Sequence, residues 1–150
     1  MRSIFLYSVL TIAITGCHLK ENNAGSSKSN SELAAILKDS ANFTTIQWLD
    51  STHKDFGKIA EGQKLEVAFR FKNTGDKPLV ITRVQPSCGC TIAEQPTDPV
   101  PSGGEGLIKA SFNSEGRTGV NHKTLYVFAN TKGSSSSELQ FVVEVEKKKW

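Results

Sequence analysis

The chain has 150 residues, a formal net charge of +3 and 37% hydrophobic residues. This length allows one domain with a short extension. The charge is small and mixed in sign, which argues against nucleic-acid binding. Three cysteines are too few for a disulfide-dense scaffold, so a hydrophobic core must hold the domain together.

Residues 1–16 have the layout of a secretory signal peptide. Arg2 supplies a positive charge, and residues 4–14 form an uncharged, largely apolar run that is too short to span a bilayer as a mature helix. The closing Ile14-Thr15-Gly16-Cys17 resembles a bacterial lipobox, in which the cysteine thiol receives diacylglycerol and a peptidase cuts just before it. The resemblance implies lipidation at Cys17 and an exported protein anchored to a membrane of the cell envelope, with the outer membrane as the expected site.

Residues 17–42 are expected to form the lipidated cysteine and a tether. Residues 18–31 are polar, small and rich in Ser and Asn, so they cannot bury enough apolar surface to fold. A flexible linker of this length has a root-mean-square reach of roughly 20 Å. A short helix is predicted over residues 31–39, because Ser31 can cap it and apolar residues follow at helical spacing.

From about Thr44 the hydrophobic period changes to two, which indicates strands. Residues 65–72 alternate apolar and polar side chains, and Asn73-Thr74-Gly75-Asp76 ends this run with turn chemistry. Further strands are predicted at 45–49, 79–84, 91–93, 108–112, 124–129 and 139–146. About seven short strands without an intervening amphipathic helix are typical of an antiparallel β-sandwich. The widely spaced Cys…Trp…Cys of antibody domains is absent, so the prediction for residues 43–150 is an all-β, immunoglobulin-like sandwich.

Several short motifs occur together in this region. They are residues 55–59, Phe69-Arg70-Phe71-Lys72-Asn73-Thr74-Gly75, Leu79-Val80-Ile81, Ser87-Cys88-Gly89-Cys90-Thr91, residues 101–106 and Phe112. In this order they resemble the bacterial family catalogued as domain of unknown function 1573, over about residues 43–147. The resemblance implies an immunoglobulin-like fold of the major-sperm-protein type in exported or lipid-anchored proteins. It implies no activity.

Cys88 and Cys90 form the one cluster that invites a chemical interpretation. On an extended strand, residues i and i+2 point to the same face, so the two sulfurs can approach. A disulfide across one residue closes a small, strained ring that is easily reduced, and Gly89 removes the Cβ penalty of the distorted backbone. Three interpretations are open: a structural pair, a redox pair that cycles with an envelope partner, and a Cu(I) or zinc site.

The metal interpretation lacks further ligands. The histidines are His18, His53 and His122, and neither His53 nor His122 has ligand spacing to the cysteines. We therefore predict no metal and no cofactor. No catalytic residues are predicted either, because nucleophile-elbow, zinc-protease, Walker and dinucleotide motifs are absent. The glycine-rich residues 103–106 favour a turn with positive φ over a phosphate cradle.

These observations predict a lipid-anchored binding or scaffold module without catalytic activity. Its partner is expected to be a protein or a cell-wall glycan, since the edge strands of a sandwich can accept a partner strand. The alternative is an envelope lipoprotein that handles redox equivalents or metal through Cys88 and Cys90. Trp150 follows three lysines, a pattern that fits either a solvated end or a contact with a membrane or partner.

Overall fold

The computed structural model describes Ala35 and residues 39–148. The predicted signal peptide, Cys17, nearly all of the tether and of its short helix, and Trp150 lie outside the described residues. A single 3₁₀ turn, Ser40–Asn42, leads into the domain, and the Asp39 carboxylate accepts a hydrogen bond from its Ala41 amide at 3.0 Å. Within the described part of the chain, no helix has the length and apolar character needed to cross a membrane.

Two four-stranded sheets make up the domain. The strands are β1 (Ile46–Trp48), β2 (His53–Ala60), β3 (Lys64–Asn73), β4 (Ile81–Pro86), β5 (Thr91–Glu94), β6 (Glu105–Asn113), β7 (Gly119–Ala129) and β8 (Ser136–Glu146). The first sheet has the order β1-β3-β6-β5 and the second has the order β2-β8-β7-β4. The predicted all-β, immunoglobulin-like sandwich is confirmed, with one departure: β2 runs parallel to β8, whereas the other neighbours are antiparallel.

Strand β2 is the element that the hydrophobic pattern does not predict. Its inward positions include Lys54, and its pairing with β8 shifts register between Asp55 and Lys58. At this bulge Gly57 has a φ of +63° and donates its amide to the Asp55 carboxylate at 2.8 Å. A polar residue on the inner face and a bulge together interrupt the period-two alternation, so the sheet contains a strand where the sequence shows only a motif.

The fourth strand begins two residues later than predicted. Leu79 forms an isolated antiparallel bridge with Val100, each amide donating to the other's carbonyl at 2.8 Å, and β4 starts at Ile81. The glycine-rich stretch contains the predicted turn, since Gly103 has a φ of +74°. Gly106 instead lies in β6, directly against the ring of Phe71, where a Cβ would clash.

Alternate residues of the four long antiparallel strands fill the space between the sheets. Phe112 and Phe141 meet across it edge to face with ring centroids 6.2 Å apart, and Trp48 packs edge to face on Phe71 at 5.8 Å. Such aromatic pairs add stability beyond the area they bury. The buried apolar residues of these strands are Val67, Phe69, Phe71, Ile108, Ala110, Phe112, Leu125, Val127, Ala129, Leu139, Phe141, Val143 and Val145.

Two buried asparagines hold the segment that crosses from one sheet to the other. Asn73, fully buried at the end of β3, donates to the carbonyls of Lys77 and Val100 at 2.8 and 2.9 Å and accepts from the Thr44 hydroxyl at 2.8 Å. Asn130 donates to the carbonyls of Asn42 and Pro78 at 2.6 and 3.0 Å and accepts from the Val80 amide at 2.8 Å. Backbone groups of the crossover therefore find partners inside the protein.

The two ends of the sandwich carry different segments. At one end, here called the entry pole, the Thr44 amide donates to the Asn130 carbonyl and Ile46 pairs with Asn73. At the opposite end, the far pole, Lys64 pairs with Asn113, next to the turns at 61–63 and 87–90. Strand β3 runs from the far pole to the entry pole, and ten extended residues span roughly 30 Å.

Replacing Asn73 by Ala tests the crossover network. We expect the free energy of unfolding to fall by about 3 kcal/mol, because one buried and one part-buried carbonyl lose their donor and the buried Thr44 hydroxyl loses its acceptor. The matched control is Asn121→Ala, since the Asn121 amide also donates to two carbonyls, those of Arg117 and Gly119, but at an exposed site. Urea unfolding should give a loss below about 1 kcal/mol there. Equal losses in the two variants would contradict the role assigned to burial.

Candidate functional site

A disulfide joins Cys88 to Cys90 at the far pole. The two residues lie in the turn between β4 and β5, with Cα atoms 5.4 Å apart. The sequence argument that placed them on an extended strand was therefore wrong, since the turn brings the sulfurs together. The conformational reason given for Gly89 was also wrong, because its φ is not in the left-handed region. Apart from its neighbours Cys88 and Cys90, no residue has an atom within 4 Å of a Cβ built on Gly89.

The disulfide turn is fixed to both sheets. The Ser87 amide donates to the Thr124 carbonyl at 2.9 Å, and the Thr124 amide donates back to the Ser87 hydroxyl at 3.2 Å, which ties the turn to β7. The Asn113 amide donates to the Cys90 carbonyl at 3.0 Å, which ties the turn to β6. Cys88 and Cys90 are both half-buried, Cys90 packs against the hydrophobic core, and these hydrogen bonds hold the turn in place.

An open groove of about 550 Å³ lies beside this turn. We call it the disulfide groove and define it by the residues that its chemistry uses, which are Lys64, Gly89, Cys90, Ile92, Glu115 and Arg117. They come from the start of β3, the disulfide turn, β5 and the β6–β7 loop. The groove exists because these four segments meet at the far pole.

Strand β5 turns a polar side chain inward and an apolar side chain toward solvent. Ile92 is 67% exposed in the groove, whereas Thr91 is 4% exposed and faces inward. The Thr91 hydroxyl oxygen lies 3.8 Å from the sulfur of Cys88 and 4.0 Å from that of Cys90. An exposed isoleucine and a buried hydroxyl beside a disulfide are the two site features that sequence reasoning missed, because hydrophobicity alone predicts the reverse orientation.

Charged side chains line the groove. Arg117 and Lys64 are its cations, Glu115 is an anion, and Lys64 also forms an exposed ion pair with Glu66 at 3.3 Å. The field of Arg117 reaches the neighbouring Lys123, whose pKa is lowered first by burial and then by that charge. The groove therefore combines one apolar side chain with charges of both signs.

The two described histidines do not join the disulfide. His53 lies on β2 and His122 on β7, with β8 between them, and both line a smaller depression of about 260 Å³ on the outer face of the second sheet. Across Ala35 and residues 39–148, no group of three or more His, Cys, Asp or Glu side chains is arranged to hold a metal ion.

A second polar cluster lies where β2 and β3 approach each other. The Asp50 carboxylate accepts from the Arg70 guanidinium at 2.8 and 3.1 Å, from the Arg70 amide at 2.9 Å and from the Lys54 ammonium at 3.2 Å. The hydrogen bonds from Arg70 are the largest cause holding the pKa of Asp50 well below its usual range. Lys54 also donates to the Ala68 carbonyl at 2.6 Å and lies 4.8 Å from the centroid of the Phe69 ring.

The Asp50 cluster predicts a pH dependence of stability. Because its pKa is lower in the folded than in the unfolded protein, the cluster stabilises fully above about pH 4, the unfolded value, and loses this contribution as pH falls toward the folded value. We expect Asp50→Asn to lower stability at pH 7 and the difference from the parent to shrink below pH 4. Urea unfolding from pH 7 to 2 measures this. The control is Asp76→Asn at an exposed site. A difference that stays constant with pH would contradict the assignment.

Comparison with family models gives a match over residues 46–145. The matching family is described as "Protein of unknown function (DUF1573)". The matched span begins with β1 and includes the disulfide turn and nearly all of β8. Comparison with curated protein sequences gives no significant match.

Solved structures share the sandwich at low sequence identity. A protein of unknown function from Porphyromonas gingivalis W83 has a TM-score of 0.61 at 18% identity, over 71% of this chain and 49% of that one. The chain thus spans about half the length of that protein. The PapD-like domain 7 of human CEP192 has a TM-score of 0.54 at 12% identity, over 72% and 89%. The YadV chaperone has a TM-score of 0.50 at 15% identity, over 67% and 52%. At these identities the likenesses concern the fold.

Proposed function

Because the chain belongs to the DUF1573 family, whose description assigns no function, we propose a function from the geometry of the chain itself. The protein is a binding module of the bacterial cell envelope, without catalytic activity, that holds a protein partner in the disulfide groove. The observation that carries this proposal is Ile92, whose side chain is 67% exposed inside a concave surface. Burying such a side chain against a partner contributes roughly 1.5–3 kcal/mol.

The groove is a better docking surface than the sheet edges. Strand β2 has a bulge at Gly57 and charged residues along its length, which are devices that prevent strand addition. The edge of β4 is covered by Gln95, whose side chain accepts from the Val84 amide at 2.8 Å and donates to the Thr82 carbonyl at 3.4 Å. The remaining edge strands, β1 and β5, have three and four residues. We therefore propose recognition by side chains rather than by an added strand.

The composition of the groove favours a protein over a glycan as the partner. Its apolar anchor, Ile92, is flanked by Arg117 and Glu115, so an apolar side chain with polar neighbours complements it. Among the described residues that line the groove, none is aromatic, and a sugar ring therefore has no flat apolar surface to stack on. The similar fold of a protein named a chaperone supports protein binding by analogy alone.

The proposed lipid anchor determines which end of the domain lies nearer the membrane. If Cys17 is lipidated, the tether holds the entry pole near the membrane, since residues 39–44 lead into that end of the sandwich. The far pole then faces away from the membrane, roughly 30 Å further out along β3. In this arrangement the disulfide groove is presented to proteins in the envelope space rather than to lipid.

Site-specific photo-crosslinking in cells tests the docking surface. A photoreactive residue placed at Ile92 should give a covalent adduct with a defined protein, because this side chain enters the interface. The matched control is a photoreactive residue at Val120, which is 65% exposed on the other sheet and should give no such adduct.

Three outcomes of this experiment overturn the proposal. The first is equal labelling from the two positions, the second is no adduct from Ile92, and the third is an adduct with cell-wall glycan. A second variant guards against misfolding: Ile92→Asp should abolish the adduct formed from a neighbouring photoreactive residue at Glu94. Its thermal unfolding midpoint should remain within about 2 °C of the parent, as for a surface substitution.

The lipid anchor is tested at Cys17. We expect Cys17→Ser to abolish incorporation of a labelled fatty acid and to release the protein from the membrane fraction, because the thiol that carries the lipid is gone. Cys88→Ser is the control and should leave fatty-acid labelling unchanged. Membrane-bound, processed protein in the Cys17→Ser variant would show that the lipobox interpretation is wrong.

A further inference from the structure

We infer that the Cys88–Cys90 disulfide exchanges with a dithiol of the partner protein that docks in the disulfide groove. The inference rests on the proposed function for the identity of the partner. The reactivity itself depends on the disulfide and its surroundings alone. The exposed Gly89 lies between the two half-buried cysteines, and Gly89 and Cys90 both line the disulfide groove, so the bond lies at the surface of this groove.

Access to the sulfurs is provided by Gly89. This glycine is exposed, a Cβ built on it would meet no atom within 4 Å outside its neighbours Cys88 and Cys90, and its φ does not require a glycine. Neither a left-handed backbone nor contact with more distant residues therefore explains the residue. A larger side chain here would project from the residue that joins the two cysteines and shield them, so glycine is the residue that leaves room for an incoming thiolate.

The reaction is a two-step exchange. A thiolate of the partner approaches through the groove and attacks the sulfur of Cys90, which lines it. A mixed disulfide forms, the Cys88–Cys90 bond breaks, and Cys88 leaves as a thiolate. The second thiol of the partner, once deprotonated, attacks the partner's sulfur in the mixed disulfide and releases Cys90. The partner dithiol loses two electrons and two protons to form its own disulfide, and the pair of cysteines gains them as two thiols.

Thr91 is placed to assist the leaving sulfur. Its buried hydroxyl lies 3.8 Å from the Cys88 sulfur and 4.0 Å from the Cys90 sulfur. When Cys88 becomes a thiolate, a small approach lets this hydroxyl donate a hydrogen bond to the new charge, and hydrogen bonds to charged groups are the stronger ones. Thr91 is thus a positioning residue for the exchange.

The charges of the groove suit an anionic attacker. Arg117 and Lys64 line the same concavity as Cys90, and a cation near a thiol favours its thiolate form. Glu115 also lines the groove. Because Glu66 pairs with Lys64 at 3.3 Å, Arg117 is the main attraction for the thiolate.

Reduction of the folded, full-length protein by dithiothreitol tests the inference without any partner. Thiol labelling followed by peptide mass analysis reads Cys88 and Cys90 separately from Cys17. We expect Gly89→Leu to slow reduction roughly tenfold and Gly89→Ala to slow it little, because access to the sulfurs decides the rate. Val120→Leu, which adds bulk at an exposed site on the other sheet, should leave the rate unchanged. A disulfide that is reduced only after unfolding, or at one rate in all four proteins, would overturn the inference.

Two further sets of variants test the roles of the individual side chains. Thr91→Val should slow reduction roughly tenfold, which corresponds to the loss of one hydrogen bond to a charged group. Thr91→Ser should keep the reduction rate of the parent. Cys88→Ser leaves the attacked sulfur free, so oxidised glutathione should label Cys90 in that variant faster than it labels Cys88 in Cys90→Ser. The reverse order would overturn the assignment of the attacked sulfur, and failure of Thr91→Ser to restore the rate would overturn the role of the hydroxyl.

The outcomes separate the two proposals. If dithiothreitol reduces the folded protein as expected while crosslinking at Ile92 fails, the disulfide is reactive and the docking surface is wrong. If crosslinking succeeds and the disulfide resists reduction in the folded protein, the groove binds a partner without exchange chemistry and this inference is wrong.

Discussion

The hydrogen bonding of the buried Asn73 side chain is the constraint on which the arrangement of this sandwich depends. The chain has to pass from β3 in one sheet to β4 in the other, and backbone carbonyls of this crossover and of the adjoining Val100 segment lie at part-buried and buried positions. Unpaired, each would cost about 1–3 kcal/mol. Asn73 donates to the Lys77 carbonyl of the crossover and to the Val100 carbonyl of the segment that pairs with Leu79, and it accepts from Thr44. The same side chain thus fixes the crossover and the point where the chain enters the domain. Asn130 repeats this device on the opposite side of the crossover.

The location of the site follows from that arrangement. With entry and crossover fixed at one end, the turns that join the strands at the other end are free to carry the disulfide and the groove. The β4–β5 turn is held there by hydrogen bonds to β6 and β7 through Cys90 and Ser87. The crossover network and the disulfide turn therefore lie at opposite ends of the molecule.

Much of the fold was predictable because most strands bury one clean face. Strands β3, β6, β7 and β8 alternate apolar and polar residues along their inward and outward faces, and the period of two identifies them. Strand β2 was not predictable, because Lys54 takes an inward position and a bulge at Gly57 breaks the period. Its parallel pairing with β8 could not be predicted either, because the local sequence of β2 carries no signal for a partner strand more than eighty residues away.

The site was predictable only in part. The spacing of Cys88 and Cys90 drew attention to the pair, and the structure brings the sulfurs together, although in a turn rather than on a strand. The groove around them was invisible to sequence reasoning, because it is assembled from residues near 64, 92 and 117, and their proximity is a property of the folded sheets. The inward Thr91 and outward Ile92 show the same limit: register, not hydrophobicity, decided which side chain faces solvent.

The parallel pairing of β2 with β8 has a consequence for how the molecule is made. Lys58 contacts Glu146 across this pair at 2.7 Å, 88 residues along the chain, and β8 also supplies four buried side chains to the core. Synthesis proceeds from the N-terminus. Until residues 136–146 have been added, β2 has no partner strand and the core lacks the buried side chains of β8. Contacts of such long sequence separation form late. The second sheet and the core therefore remain incomplete until residues 136–146 have been added.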